Sequence, residues 1–152
     1  MILQGYRFAP HDNFIVVSST GINPVPIEVA LGAQERGMRV IAMTSVEHSR
    51  TTQSRHSSGK RLFEVADVIL DNCSAPGDAM IRIDSVPYPV GPGSSIGAIS
   101  LMNALKCQVA ENLAQRGIQP DVLPSPHFVG DAEAAREFER VLESYHECAR
   151  NL

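Results

Sequence analysis

Within six positions this chain places three hydroxyls, a glycine and an amide: Ser18, Ser19, Thr20, Gly21 and Asn23. They follow the apolar, β-rich run Phe14-Ile15-Val16-Val17 and precede Pro24 and Pro26. A buried parallel strand reads as such a run, and proline suits the first helical turn, so the sequence predicts strand, turn and helix, with Asn23 as N-cap. That junction suits an anion, because free N–H groups and the positive end of the helix dipole attract a phosphate and hydroxyls can bond its oxygens. The same residue types also close ordinary βα turns that bind nothing, and both readings stand at this point.

Two further runs carry polar exits. Residues 39–44 (Arg-Val-Ile-Ala-Met-Thr) end in Thr44, Ser45, Glu47 and His48; residues 67–71 (Asp-Val-Ile-Leu-Asp) end in Asp71, Asn72 and Cys73. In a parallel α/β sheet the carboxyl ends of the strands share one edge, where ligands bind. Hydroxyls, an imidazole, a carboxylate and a thiol would then line one rim, a chemistry that matches a phosphate joined to a polyhydroxylated body. Residues 50–60 are polar and locally basic, with Arg55, His56 and Lys60 and no apolar face. Such a loop is either solvated or gathered around a ligand. Zinc is conceivable at His48, His56, Asp71 and Cys73, but their spacing is no recognised ligand pattern, so no metal and no other cofactor is expected.

The elements that must position these groups are short. A helix over residues 24–36, with Ile27, Ala30, Leu31 and Gln34 on one face and Gly37 as its left-handed stop, links the first two strands in a βαβ unit. A short helix is predicted over residues 61–66, and short strands near 79–84 and 88–90, where Pro87 and Pro89 restrict pairing. Residues 92–116 read as a long helix in which Ile96, Ile99, Met102, Asn103, Cys107, Ala110 and Leu113 recur at helical spacing. Its small-residue surface suits either a subunit interface or a buried core helix. Residues 131–150 read as a second amphipathic helix with Ala135, Phe138, Val141, Leu142 and Tyr145 inward. The lead, residues 1–13, shows no periodic pattern.

Bulk properties exclude several classes. A chain of 152 residues suits one domain, and 43% apolar with 20% charged residues is near the globular average, which excludes a disordered or fibrous chain. The formal net charge of −4 argues against a general nucleic-acid binder. No apolar run is long enough to span a bilayer, and residues 1–12 lack the regions of a signal peptide, so a cytoplasmic protein with no membrane partner is expected. Cys73, Cys107 and Cys148 are far apart and odd in number, and they read as reduced thiols.

The run Ser18-Ser19-Thr20-Gly21-Ile22-Asn23 resembles the Ser-x-Ser-Gly-x-(Thr/Ser/Asn) phosphate loop of SIS, or sugar isomerase, domains. Thr44-Ser45-Val46-Glu47-His48-Ser49, Ser54-Arg55-His56-Ser57-Ser58-Gly59-Lys60, Asp71-Asn72-Cys73 and Gly91-Pro92 resemble the phosphosugar-binding subgroup that is named for phosphosugar or phosphoheptose isomerases. The similarity runs from about Gly5 onward, and the ordered succession of segments carries more weight than any one of them.

That resemblance implies a three-layer α/β/α sandwich with a mainly parallel, Rossmann-like sheet. It makes Ser18, Ser19, Thr20 and Asn23 phosphate ligands, with Thr20 in place of the usual second serine. SIS domains begin with helical structure and a strand carrying a Gly-x-Gly-x-Ser loop; nothing before Phe14 matches it, so the chain is expected to be N-terminally shortened. An exposed sheet edge would then favour self-association into a homodimer or higher homo-oligomer.

The implied activity is aldose–ketose isomerisation of a phosphorylated sugar, which requires a group that moves protons near neutral pH. His48 and His56 are the first candidates, against the alternative of exposed loop histidines. Glu111 is the candidate for the helix-borne glutamate of SIS isomerases, against a solvated helical carboxylate. Arg55 and Lys60 attract the dianion or keep the loop soluble, while Asp71 and Asn72 bind sugar hydroxyls or hold the turn. Thr44 and Ser45 complete the expected substrate-binding set; His127 and His146 read as surface residues. Two other functions remain open: a non-catalytic sugar-phosphate sensor, and an SIS-type lyase or etherase.

Overall fold

The structure is a computed structural model that describes residues 2–9 and 11–149. Arg150, the expected last residue of the final helix, and Pro10 of the lead lie outside the described residues. Two compact units are distinguished, Met1–Ala104 and Leu105–Leu152.

The first unit is built on a parallel sheet in the order β1-β2-β3, formed by β1 (Asn13–Val17), β2 (Arg39–Thr44) and β3 (Val68–Asp71). Val17 pairs with Met43 and Thr44 with Asp71, so the three carboxyl ends are level. Backbone bonds carry the alignment past the strands: Ser18 N–H donates to Met43 O (3.0 Å), Ser45 N–H to Ser19 O (2.9 Å) and Asn72 N–H to Thr44 O (3.0 Å). The three predicted exits therefore share one rim.

α1 (Pro24–Gln34) follows β1 and buries Ile27, Ala30 and Ala33 against Val16, Val40 and Ala42 of the sheet and Leu62 of α3 (Leu62–Val65). Ile27, Val40 and Leu62 are wholly buried, and side chains of that size contribute about 1.5–3 kcal/mol each when removed from water. Leu3 and Phe8 of the lead also pack on this core. The helix closes at Gly37 (φ 81), whose N–H donates to Gln34 O (2.9 Å), while Met38 N–H donates to Ala33 O (3.2 Å). The left-handed conformation makes a glycine cheapest there.

Asp67 locks β2 beside α1 and β3. Its carboxylate accepts from Val40 N–H (2.8 Å) and from the Gln34 amide (3.2 Å). Those bonds, the Val40 one foremost, hold its pKa below the ordinary carboxylate value.

β4 (Ala79–Ile81) and β5 (Val90–Pro92) form a separate antiparallel pair. β4 stops at Ile81, short of the predicted 84, and β5 begins at Val90, two residues beyond the predicted start; Pro87 and Pro89, which cannot donate to a ladder, lie between them. α4 (Ser94–Gln115) begins where Asp78 accepts from Ser94 N–H (2.7 Å) and Ser94 Oγ–H (2.9 Å). Burial would raise the Asp78 carboxyl, but the bonds from Ser94 outweigh it and hold it below its ordinary value. α4 contains no buried residue, and Ile96 and Ile99 of its expected apolar face are more than 60% exposed.

In the second unit α5 (Pro126–Val129) and α6 (Asp131–Ala149) follow the end of α4. Asp121 joins Arg140 and Ser144 of α6. The expected inward face of α6 is corrected: Phe138 is 53% and Tyr145 66% exposed. The four-residue α5 and the proline-bearing segment before it supply too little apolar surface within this unit to cover a helix of 19 residues.

Candidate functional site

The turn over residues 18–23 depends on Gly21. Its φ is +60°, and a Cβ there would stand 3.0 Å from Leu62 Cβ and 3.2 Å from Thr44 Oγ1. Only glycine fits both the left-handed backbone and this close approach. Leu62 N–H donates to Gly21 O (2.7 Å) and Arg55 N–H to Ile22 O (2.9 Å), so residues 55–62 are stitched to the turn.

The turn keeps its donors free. Gly21 N–H donates to Ser18 Oγ across a long 3.3 Å, but the amides of Ser19, Thr20, Ile22 and Asn23 meet no acceptor among the described residues. Thr20 Oγ has no partner among those residues either, and Ser19 Oγ makes only a 3.4 Å contact with Ser74 Oγ. Asn23 occupies the N-cap position but its side chain makes no capping bond; its Oδ1 accepts from Arg55 Nη1 (3.4 Å). α1 itself contributes little, because of its first three residues Pro24 and Pro26 have no N–H. The anion donors sit in the turn rather than in the helix.

Behind the turn stands a hydrogen-bonded frame. Thr44 and Ser45 are wholly buried: Thr44 Oγ1 donates to Ser19 O (3.0 Å), and Ser45 Oγ donates to Ser74 O (2.6 Å) while accepting from His48 N–H (3.1 Å). Asp71 Oδ1 accepts from Val46 N–H (3.2 Å) and Cys73 N–H (3.0 Å), and Asn72 Oδ1 from Ser74 N–H (3.1 Å). These four expected substrate-binding side chains hold the turn and the β3 exit in place. Cys73 (φ 54) and Asp78 (φ 68) both adopt the left-handed conformation, an uncommon backbone for residues with a Cβ.

The two candidate histidines differ. His48, on α2 (Val46–Arg50), is half-buried; its Nε2 accepts a long bond from Gly77 N–H (3.3 Å), and its buried Nδ1 has no partner among the described residues. His56 is buried, with Nδ1 accepting from Ser58 N–H (3.2 Å) and 2.7 Å from Ser58 Oγ, and Nε2 2.8 Å from Glu28 Oε1. Because a backbone N–H points at Nδ1, the network assigns the ring proton to Nε2.

The loop bearing His56 is largely exposed, in keeping with the solvated alternative, with His56 itself buried. Its own bonds fold it: Ser54 Oγ donates to Lys60 O (2.7 Å) and accepts from His56 N–H (3.0 Å). A cleft of about 460 Å³ opens beside Arg50, Thr51, Thr52, Ser54 and Arg61. Its three hydroxyls already donate to the carbonyls of His48, Ser49 and Lys60, and the Arg61 guanidinium donates to Glu64 and to the carbonyls of Ser49 and Arg50.

Glu111 lies in the second unit, exposed, and accepts from Gln108 Nε2 (2.9 Å). Lys60 is exposed, and its N–H donates to Ser58 Oγ (3.2 Å). Among the described residues no three His, Cys, Asp or Glu side chains converge to hold a metal ion, and no helix is long and apolar enough to cross a membrane. All three cysteines are exposed free thiols. Glu28, Ser74 and Asp78 were not read from the sequence; each acts through a partner far along the chain, and no local motif marks it.

Residues 1–45 match the family model described as SIS domain. The UPF0309 protein of Geobacillus kaustophilus is 40% identical over 138 residues, covering 91% of this chain and 54% of that protein. The UPF0309 protein of Streptomyces coelicolor is 40% identical over 147 residues, covering 96% and 57%. That of Caldanaerobacter subterraneus is 34% identical over 155 residues, covering 100% and 61%. The chain thus spans a little over half the length of these relatives. With more than nine-tenths of its residues aligned at 34–40% identity, the chain is similar to these UPF0309 proteins over a little more than half of their length.

Proposed function

We propose that the turn over residues 18–23 binds the phosphate of a phosphorylated sugar, and that the protein interconverts the aldose and ketose forms of that sugar. The observation that carries the phosphate reading is the set of unengaged amides at Ser19, Thr20, Ile22 and Asn23 beside the free hydroxyl of Thr20. Arg55, held 3.4 Å from Asn23 Oδ1, adds positive charge to a turn whose helix lacks two of its usual donors. The SIS-domain match over residues 1–45 includes the whole turn and supports the same chemistry.

Isomerisation moves a proton from C2 of the open-chain aldose to C1, through an enediol. In this reading His48 Nε2 takes that proton and returns it, since its lone pair meets only a long amide bond that substrate could replace. Thr44, Ser45, Asp71 and Asn72 keep the rim in register, and a homo-oligomer would bring further groups, with Glu111 among the candidates for proton transfer. Incubation with a panel of phosphorylated aldoses, followed by NMR, tests it: appearance of the matching ketose supports the isomerase. Loss of turnover in His48→Asn with sugar-phosphate binding retained places the proton on His48.

A sugar-phosphate sensor is the second reading. It is favoured by the engagement of both His56 ring nitrogens by the protein itself, which leaves few free proton carriers at the rim. Tight binding of a phosphorylated sugar without any interconversion would select it.

A further inference from the structure

The pair formed by Glu28 and His56 lies outside the expected site set as a pair, and its geometry is built rather than incidental. His56 is buried although it sits in a polar loop, and its side chain is 6% exposed against 66% for Glu28. The Nε2–Glu28 Oε1 distance of 2.8 Å and the Nδ1–Ser58 Oγ distance of 2.7 Å leave the ring no free nitrogen. Ser58 Oγ also accepts from Lys60 N–H (3.2 Å), so the ring is the centre of a knot spanning residues 54–60. One side of that knot is tied to α1 by Glu28. The neighbouring residue Arg55 is tied to the turn twice, through its N–H to Ile22 O (2.9 Å) and its guanidinium to Asn23 Oδ1 (3.4 Å).

We propose that Glu28 and His56 form a clamp that fixes the 54–60 segment on α1 and so sets the Arg55 guanidinium beside the phosphate turn; His56 is a positioning residue and not a proton carrier. The inference rests on the phosphate reading for its functional consequence. Arg55 and His56 are adjacent in sequence, so a displacement of the backbone at His56 also moves the base of the Arg55 side chain. Without the anchor on Glu28, the loop keeps its internal bonds and depends on the Arg55 N–H bond to Ile22 O alone for its backbone tie at this end, having lost its side-chain tie to the helix. The exposed arginine then samples directions away from the turn, and the anion loses charge that had been pre-positioned.

The test uses the 152-residue chain and its Glu28→Ala and Glu28→Gln variants, with inorganic phosphate and a phosphorylated sugar as probes. Glu28→Gln keeps an oxygen that accepts from Nε2–H, so it should retain affinity within about twofold, whereas Glu28→Ala should weaken it roughly three- to tenfold, the range expected for coupled neighbours. In Glu28→Ala the His56 Nε2–H resonance should broaden or vanish, and hydrogen exchange at the Arg55 and Leu62 amides should quicken. Equal affinity in Glu28→Ala and wild type, with the resonance lost, overturns the functional consequence. Unchanged exchange at Arg55 and Leu62 overturns the clamp. If wild type binds neither probe, the phosphate reading falls, and the exchange measurement still decides the clamp by itself.

Discussion

Replacing Gly21 with alanine tests whether the turn over residues 18–23 has the shape described. The backbone is left-handed there (φ +60°), which costs a residue with a Cβ about 1–2 kcal/mol. The new Cβ would also lie 3.0 Å from Leu62 Cβ and 3.2 Å from Thr44 Oγ1. Neither neighbour can yield freely: Leu62 is wholly buried and its N–H donates to Gly21 O (2.7 Å), while the buried Thr44 hydroxyl is committed to Ser19 O (3.0 Å). Overpacking of that kind costs roughly 1–3 kcal/mol, so the total is about 2–5 kcal/mol. Urea unfolding reads it directly; with a slope of roughly 1–3 kcal/mol per molar, the midpoint should fall by at least about 0.7 M. Gly37→Ala is the internal control, because its φ is +81° but nothing lies within 4 Å of the added Cβ. It carries only the conformational cost. If Gly21→Ala proves no more destabilising than Gly37→Ala, the close approach of Leu62 and Thr44 to the turn is wrong.

Thr20→Val keeps volume and removes a free hydroxyl, so sugar-phosphate affinity should drop about tenfold with thermal stability nearly unchanged; calorimetry and a melting curve check the two parts. Gly97→Ala would set a Cβ 2.7 Å from the Asn72 carbonyl oxygen, and should shift α4 away from the β3 exit, seen as amide shift changes over residues 72–78. Arg61 holds the Glu64 carboxyl at about 2, and Val40 and Gln34 hold Asp67 below its ordinary value. A carboxylate whose folded pKa is depressed contributes stability above its unfolded pKa, about 4, and that stability is lost as pH falls through the folded value. Melting temperatures from pH 7 down to pH 2.5 should therefore fall less steeply in Glu64→Gln and Asp67→Asn than in wild type.

The three parallel strands were legible because each is a short apolar run that ends abruptly in polar residues, and level carboxyl ends follow from parallel pairing. The strand, turn and helix junction around residues 18–23 was legible for the same reason. The distribution of labour along the rim was not. Thr44 and Ser45 look like ligands in sequence, yet both are buried, Thr44 at the end of β2 and Ser45 as the N-cap of α2, where they bond Ser19 O and Ser74 O. His56 was read as a rim residue because its loop follows the β2 exit; the structure buries it with Nε2 2.8 Å from Glu28 Oε1, a partner 28 positions away that no local pattern connects to it. Helical periodicity gave α6 correctly as a helix and Phe138 and Tyr145 as one face, but a pattern states which residues want covering and not what covers them.

The most direct measurement is a titration of the isotopically labelled chain with a phosphorylated sugar, followed by amide NMR. The Ser19, Thr20, Ile22 and Asn23 signals should move first and saturate together, with the Arg55 side chain following them. Saturable shifts confined to other parts of the chain, or none up to millimolar ligand, would contradict a phosphate site in this turn.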